Sequence, residues 1–134
     1  ANNDGTPEEE HGHSSFYSDA YRCMINLAVD ALSCGLEAEA SEIAMKQAAF
    51  FAARPEGERW LDYTVEGIPT GRPSLHPVGL QASLACTSIL SEDDAAKGWR
   101  ENFKQLPLRQ GERRYYDNLL YLFSYLALCG WYRI

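Results

Sequence analysis

The sequence predicts an all-α fold with two concentric layers of helices, and the alternation of two helix types carries this prediction. Three predicted helices are apolar on nearly every face, which is typical of helices buried all round; they contain the runs CMINLAVDAL, VGLQASLACTSIL and NLLYLFSYLAL. The helices between them are amphipathic and contain EAEASEIAMKQAAFF and EDDAAKGWRENF. We therefore expect each inner helix to be followed by an outer helix running back, so that the inner helices are parallel and their N-termini share one rim.

Local signals set the ends of five helices. Gly35 is a favourable residue just beyond the first helix, and Pro55 ends the second because the residue before a proline disfavours helical backbone. Ser91, with Asp94 three residues later, forms a weak capping box for the fourth helix. The predicted helices cover about residues 18–34, 37–53, 77–90, 92–106 and 115–129.

The connection over residues 55–76 is much longer than the others. It contains WLDYTVEG, in which Leu61, Tyr63 and Val65 alternate as in a strand, followed by the proline- and glycine-rich IPTGRPSLHP. Connections of this length inside a compact domain are usually functional. The chain begins with a polar stretch, residues 1–15, which is expected to be an extended loop.

The composition argues against several classes of partner. The chain has 134 residues, of which 46% are hydrophobic, enough for a real core. Its net charge of −7 argues against nucleic acid and against an anionic membrane surface, because both require a basic patch, and is compatible with a neutral ligand. The apolar run at residues 119–129 is too short to span a bilayer, and no signal peptide is visible. We expect a soluble, cytoplasmic protein.

Neither a metal nor a cofactor is expected. Four cysteines fall in apolar helical runs and form no CxxC pair, so we interpret them as buried free thiols; they are Cys23, Cys34, Cys86 and Cys129. Free thiols favour a reducing compartment. The run EEEHGH in the polar leader is interpreted as solvated rather than as a metal site.

Residues able to carry chemistry concentrate at the starts of the three apolar helices. Asp19 and Arg22, preceded by Tyr17, open the first helix. His76 precedes the third, and the stretch Tyr115, Tyr116 and Asp117 opens the fifth. In the two-layer arrangement these groups meet on one rim. Aromatic rings, a carboxylate and hydrogen-bonding groups around a cleft suit a sugar, because tyrosine rings stack on pyranose faces while polar groups bind hydroxyls.

Three stretches resemble glycoside hydrolase family eight, and together they cover essentially the whole chain. FYSDAYRCMINLAVDA resembles the helix that carries the catalytic base in that family, and RRYYDNLLYLFSYLALCGWYRI resembles the end of its barrel. YTVEGIPTGRPSLHPVGLQAS is most similar to one branch, the exo-oligoxylanases that release xylose from the reducing end. The resemblance implies an (α/α)6 barrel, a six-hairpin toroid, of which residues 1–134 form the C-terminal portion.

The resemblance also implies roles for individual residues. Family members invert the anomeric centre with one carboxylic acid and one carboxylate base, and the base corresponds to Asp19 here. A carboxylate at a helix N-terminus with the Arg22 guanidinium one turn on is stabilised as the anion, as a base requires. His76, in the turn Leu75–His76–Pro77, resembles the residue that closes the cleft beyond the leaving-group sugar and hydrogen-bonds that sugar.

Each of these residues also has a plainer interpretation. From spacing alone, Asp19 equally suits a helix cap, or a first-turn residue behind a Ser18 cap. Arg22 would then satisfy a neighbouring loop, and His76 would be held by a backbone carbonyl. The three tyrosines either contact sugar or pack between helix ends; they are Tyr17, Tyr115 and Tyr116. The same two alternatives apply to Asp117.

The chain departs from the family in its length. A full barrel needs twelve helices, about five are present here, and nothing matches the region of the family's general acid. We expect the isolated chain to be inactive and either to bind the missing N-terminal part or to self-associate, because helices one and five each lack a neighbour. Two alternatives are an endo-acting enzyme of the same family, on β-1,4-glucan, xylan or chitosan, and a non-catalytic helical module that binds a protein partner.

Overall fold

A computed structural model describes residues 14–35 and 37–132 of the chain. The part of the polar leader before residue 14 lies outside the described residues, whereas its last residue belongs to a strand. Five α-helices and three short strands follow in the order β1 (Ser15–Phe16), α1 (Asp19–Cys34), α2 (Glu37–Ala52), β2 (Leu61–Thr64), β3 (Pro69–Pro73), α3 (Pro77–Thr87), α4 (Asp94–Gln105) and α5 (Arg114–Leu128). A 3-10 turn, Ser88–Leu90, extends α3.

Most helix ends agree with the sequence signals. Gly35 adopts a left-handed backbone (φ 76°) and its N–H donates to the Ala31 carbonyl at 3.1 Å, which closes α1. The predicted Ser91 cap of α4 is wrong by two residues, because Asp93 takes that place. The Asp93 carboxylate accepts from the Ala96 N–H at 2.8 Å, and the Ser91 hydroxyl donates to the same carboxylate at 2.6 Å.

Helix α3 is the centre of the described fold. It packs against α1 on one side and α5 on the other, and nearly every residue from Gly79 to Thr87 is buried. The main core is formed by side chains from all five helices and β2: Tyr21, Ile25, Ala28, Val29, Ala48, Phe51, Tyr63, Leu80, Leu84, Cys86, Trp99, Leu120 and Ala127. Three inner helices side by side, with amphipathic helices outside them, agree with the layered prediction.

Burial differs between the three apolar helices. Their apolar runs alone indicate burial on all faces, whereas the low helix number predicts that helices one and five each lack a neighbour. The structure agrees with the second expectation, since among the described helices α3 is the one buried nearly all round. Helix α1 buries one face, and α5 likewise leaves Leu122 and Tyr125 each 48% exposed. The reason is positional. Within the described residues α3 packs extensively against both other inner helices, whereas α1 and α5 pack mainly against α3 and contact each other only at a few residues. The same half-exposure corrects the cysteine prediction: Cys86 is buried, whereas Cys23, Cys34 and Cys129 are exposed free thiols.

The long connection folds into a small antiparallel sheet of order β1–β2–β3. The predicted strand is present as β2, with Phe16 opposite Tyr63 on one side and Leu61 opposite Pro73 on the other. Alternation does not extend to Val65, which lies in the turn after β2 and is 78% exposed. Ser74 follows β3 and lies directly before the turn into α3. Its N–H donates to the Trp60 carbonyl at 2.8 Å. None of the described helices is long and apolar enough to cross a bilayer.

Candidate active site

Asp19 and Arg22 form an ion pair at the entrance of α1. The Arg22 guanidinium donates to the Asp19 carboxylate at 2.6 Å, and the two side chains are 55% and 67% exposed. Asp19 is the first residue of the helix, where the partial positive charge of the helix end also favours an anion. The pair therefore presents a charged carboxylate to solvent in one preferred orientation.

Ser18, directly before Asp19, has an uncommon backbone. Its φ of 26° and ψ of −80° place a residue with a Cβ at positive φ, a conformation that costs on the order of 1–3 kcal/mol. Its side chain makes no capping hydrogen bond, and its enclosed hydroxyl oxygen has no partner among the described residues. The Ser18 cap is therefore wrong, and the segment carries strain at the position that orients Asp19.

Tyr116 connects the starts of α1, α3 and α5. Its hydroxyl donates to the Ser18 carbonyl at 2.7 Å, and its ring centroid lies 4.5 Å from that of His76. The Arg22 guanidinium lies 5.9 Å from the same ring. Burial raises the pKa of Tyr116 to about 12, so the hydroxyl remains a donor at neutral pH. The rim predicted from the two-layer arrangement is thus formed by contacts between the three helix starts.

His76 is fixed at the start of α3 by a carboxylate rather than by the backbone carbonyl of the plainer interpretation. Its Nδ1 lies 3.1 Å from Asp117 Oδ2, and its backbone N–H donates to the Ser74 hydroxyl at 3.1 Å. The Ser74 hydroxyl is also 2.9 Å from the buried Tyr21 hydroxyl. The His76 side chain is 14% exposed, so its ring has contact with solvent.

Asp117 is fully enclosed and lies behind His76. Besides the imidazole, its carboxylate accepts from the Gly79 N–H at 2.6 Å and from the Arg109 guanidinium at 2.6 Å. The sequence pointed to neither Gly79 nor Arg109. Because the carboxylate has no exposed surface in this structure, it acts on the rim through His76 and not by facing solvent itself.

The two remaining predicted residues lie on different surfaces. Tyr17 lines a cavity of about 500 Å³ together with Asp19 and Arg22; the other lining residues are Ser15, Ala20, Cys23 and Asn26. Tyr115 is 80% exposed and borders a separate concavity with Arg113 and Asn118. Tyr17 therefore shares a cavity with the ion pair. The Tyr116 ring lies between Arg22 and His76, and Tyr115 lies apart.

The arrangement suits a carboxylate base beside a polyhydroxylated ligand. Asp19 is the carboxylate among the described residues that line the cavity, and its charge is balanced by Arg22 rather than buried. A base of this kind needs a second carboxyl group on the other side of the scissile bond to act as the acid. The described lining residues do not supply one.

Comparison with known proteins confirms the resemblance inferred from the motifs. No family model matches the chain. The reducing-end xylose-releasing exo-oligoxylanase of Halalkalibacterium halodurans is 45% identical over 132 residues, which are 98% of this chain and 34% of that protein. The corresponding enzyme of Paenibacillus barcinonensis is 42% identical over 137 residues, 100% of this chain and 36% of that protein. The chain thus spans about a third of the length of the curated relatives it matches.

Solved structures of the same kind of enzyme confirm the predicted fold. A reducing-end-xylose releasing exo-oligoxylanase complexed with xylose matches with a TM-score of 0.85 at 43% identity, over 95% of this chain and 34% of that one. A glutamate-to-alanine variant complexed with xylobiose matches equally well. The five helices are the counterpart of a C-terminal helical portion of the exo-oligoxylanase barrel. The relatives are glycoside hydrolases, as the resemblance implied.

Proposed function

We propose that this chain is the C-terminal portion, residues 1–134, of an inverting hydrolase that releases xylose from the reducing end of β-1,4-linked xylo-oligosaccharides. In this proposal Asp19 is the general base, Arg22 orients it, and His76 binds the leaving-group sugar. One observation carries the proposal: the exposed Asp19–Arg22 pair borders a cavity on the rim that holds His76, in a chain 45% identical to an exo-oligoxylanase. The xylose and xylobiose held by the solved neighbours support an oligosaccharide substrate.

The proposed reaction is a single displacement by water. Asp19 accepts a proton from the water as its oxygen attacks the anomeric carbon, and an acid protonates the departing glycosidic oxygen as the C–O bond breaks. The two carboxyl groups of inverting enzymes lie roughly 6.5–9.5 Å apart to accommodate this water. The acid is assigned to no residue of this chain, which is why the isolated chain is proposed to be inactive.

The proposal includes a partner for the exposed faces of α1 and α5. Leu32 on α1 and Leu122 and Tyr125 on α5 are each 48% exposed, and among the described inner helices both α1 and α5 pack extensively only against α3. Faces of this kind associate with other apolar surfaces. We assign the missing N-terminal part of the barrel as the natural partner, with self-association as the outcome when it is absent.

The anchoring of the Leu75–Pro77 turn favours exo over endo action. An endo-acting enzyme needs an open cleft beyond the leaving-group sugar, so a wall there has to be absent or mobile. The Leu75 carbonyl accepts from Arg109 at 2.5 Å, and the His76 ring is held by Asp117. A turn fixed in this way suits a permanent wall.

The test is complementation with a separately produced N-terminal portion of a related barrel. We expect the reconstituted complex to hydrolyse xylotriose and the 134-residue chain alone to be inactive. Asp19→Asn should lower the rate by about 10²–10⁴-fold, the usual contribution of a general base. The control is Asp30→Asn, an exposed carboxylate three turns further along α1, which should leave the rate unchanged. Hydrolysis by the isolated chain, or a fully active Asp19→Asn complex, would contradict the proposal.

A further inference from the structure

The geometry points to Asp117 and Arg109 as positioning residues that hold His76 in one tautomer, with Nδ1 protonated and Nε2 free to accept a hydrogen bond. In that form the imidazole would recognise a neutral polyol through an O–H group that donates to Nε2. This inference rests on the proposed function, because it specifies how the leaving-group sugar is bound at the same rim.

The Asp117 carboxylate can act only as an acceptor. Its Oδ1 accepts from the Gly79 N–H, and its Oδ2 from the Arg109 guanidinium, at 2.6 Å in both cases. A backbone amide and a guanidinium have no acceptor to offer, so both of these bonds require lone pairs on the carboxylate. The adjacent guanidinium, itself 23% exposed, supplies the charge that an anion enclosed in protein needs.

The acceptor character of Asp117 dictates the proton position on His76. The His76 Nδ1 lies 3.1 Å from Oδ2, so a hydrogen bond between them requires the proton on Nδ1. In a neutral imidazole the other nitrogen is then an acceptor. Arg109 already balances the carboxylate's charge, so the contact does not depend on a positive imidazole. Within residues 14–35 and 37–132, Nε2 makes no hydrogen bond of its own.

Arg109 also holds the backbone of the turn that contains His76. Its guanidinium bridges Asp117 and the Leu75 carbonyl, the latter at 2.5 Å. Asn118 fixes Arg109 in turn, because its side chain accepts from the Arg109 N–H at 2.9 Å and donates to the Arg109 carbonyl at 3.0 Å. Consecutive residues of α5 therefore hold the ring and the main chain of the His76 turn.

The environment of the ring suits a sugar hydroxyl rather than a charged group. The Tyr116 ring packs at 4.5 Å from the imidazole, which limits the directions from which a ligand can approach. A neutral acceptor nitrogen beside an aromatic face discriminates in favour of a donor O–H and does not attract an anion. Loss of one such hydrogen bond lowers affinity by roughly tenfold.

The test is the tautomer of His76, measured by 15N NMR on histidine-labelled chain, alone and in complex with the unlabelled N-terminal portion. His76→Gln assigns the signals. The spectra are recorded at an alkaline pH at which the imidazole is neutral, and we expect the single ring proton on Nδ1 with Nε2 unprotonated. A neutral imidazole that carries its proton on Nε2 would overturn the inference. This readout needs no enzymatic activity, so it is independent of whether the proposed function is correct.

Two variants separate positioning from general stability. Asp117→Asn replaces an obligate acceptor with a group that also donates, and we expect the Nε2–H tautomer to appear, as when a serine protease triad loses its carboxylate. Asn118→Ala loosens Arg109 but leaves the carboxylate in place, so the tautomer should persist. In the reconstituted enzyme, Asp117→Asn should raise KM for xylotriose about tenfold and change kcat less. An unchanged tautomer in folded Asp117→Asn would refute the role of the carboxylate.

Discussion

The Tyr116 hydroxyl donates a 2.7 Å hydrogen bond to the Ser18 carbonyl, which joins the start of α5 to the residue before Asp19. The two residues are 98 positions apart in sequence, so the bond depends on inner helices lying with their N-termini together. It also holds the positive-φ backbone of Ser18 in place. The orientation of the proposed base is thus set by the neighbouring helices as well as by its own.

Removing this hydroxyl should weaken the rim. Tyr116→Phe keeps the ring contact with His76 but leaves the Ser18 carbonyl with one donor fewer, so we expect a loss of about 1 kcal/mol in the free energy of unfolding. Urea denaturation of the 134-residue chain measures the change. The adjacent Tyr115→Phe is the matched control, because that side chain is 80% exposed and should alter nothing. Equal effects of the two substitutions would contradict this account of Tyr116.

Gly79 should tolerate no side chain, because α5 approaches α3 closely at this point. A Cβ there would lie 2.9 Å from a methyl of Leu120 and 3.4 Å from the Asp117 carboxylate. We expect Gly79→Ala to destabilise the chain by about 1–3 kcal/mol, as overpacking does. Gly98 in α4 has open space around its Cβ position, so Gly98→Ala should instead stabilise by roughly 0.5–1 kcal/mol. Thermal unfolding of both variants measures the two changes in stability. A change of the same sign in both variants would contradict the packing described.

Asp62 should make the stability depend on pH in a defined direction. Burial raises its pKa above the ordinary value of 3.8, and Arg72 at 3.8 Å opposes this only in part. The folded state therefore favours the protonated form, and the stability it contributes is complete below pH 3.8 and lost as pH rises through the raised pKa.

Asp62→Asn should thus stabilise the chain at pH 7 relative to the unsubstituted protein, with the difference shrinking towards zero below pH 3.8. Urea midpoints measured across this range test the prediction. Glu56→Gln, at an exposed position, is the control for the loss of one negative charge. A stabilisation by Asp62→Asn that grew on acidification would have the wrong sign for a buried carboxyl group.

The exposed face of α5 should govern association of the isolated chain. Replacing Leu122 and Tyr125 with serine removes two large apolar groups from that face, and we expect a lower apparent mass by light scattering at high concentration. Val65→Ser, in the turn after β2, removes an even more exposed apolar side chain elsewhere and should leave the mass unchanged. A monomeric unsubstituted chain at high concentration would contradict the assignment.

The sequence was most informative where the relevant forces are local. Gly35 and Pro55 mark helix ends because their backbone preferences act on the adjacent residues, and α2 and α4 show their exposed faces directly in their charges. The strand β2 was visible from its alternation. Its partner β1 was not, because two residues, Ser15–Phe16, are too few to show a pattern.

Features that depend on distant residues escaped prediction. Asp117 lies in the first turn of α5, a position from which a side chain could equally face a ligand. It is instead buried against Arg109. That arginine is one of several in LPLRQGERR, and nothing in the sequence distinguishes it from the others. The exposed faces of α1 and α5 were predicted, but from the low number of helices rather than from their own residues, whose apolarity by itself indicates complete burial. Sequence patterns report what a helix can bury, whereas the neighbours present decide how much of it is buried.

The most direct test of the central claim is the anomer formed from xylotriose by the reconstituted complex, followed by 1H NMR in the first minutes before mutarotation. Inversion at the cleaved β-linkage predicts that xylobiose appears initially as the α-anomer, together with xylose from the original reducing end. Asp19→Asn should lower the rate at which both signals appear by about 10²–10⁴-fold. Xylobiose formed initially as the β-anomer, or an undiminished rate in Asp19→Asn, would contradict the assignment of Asp19 as the base that activates water.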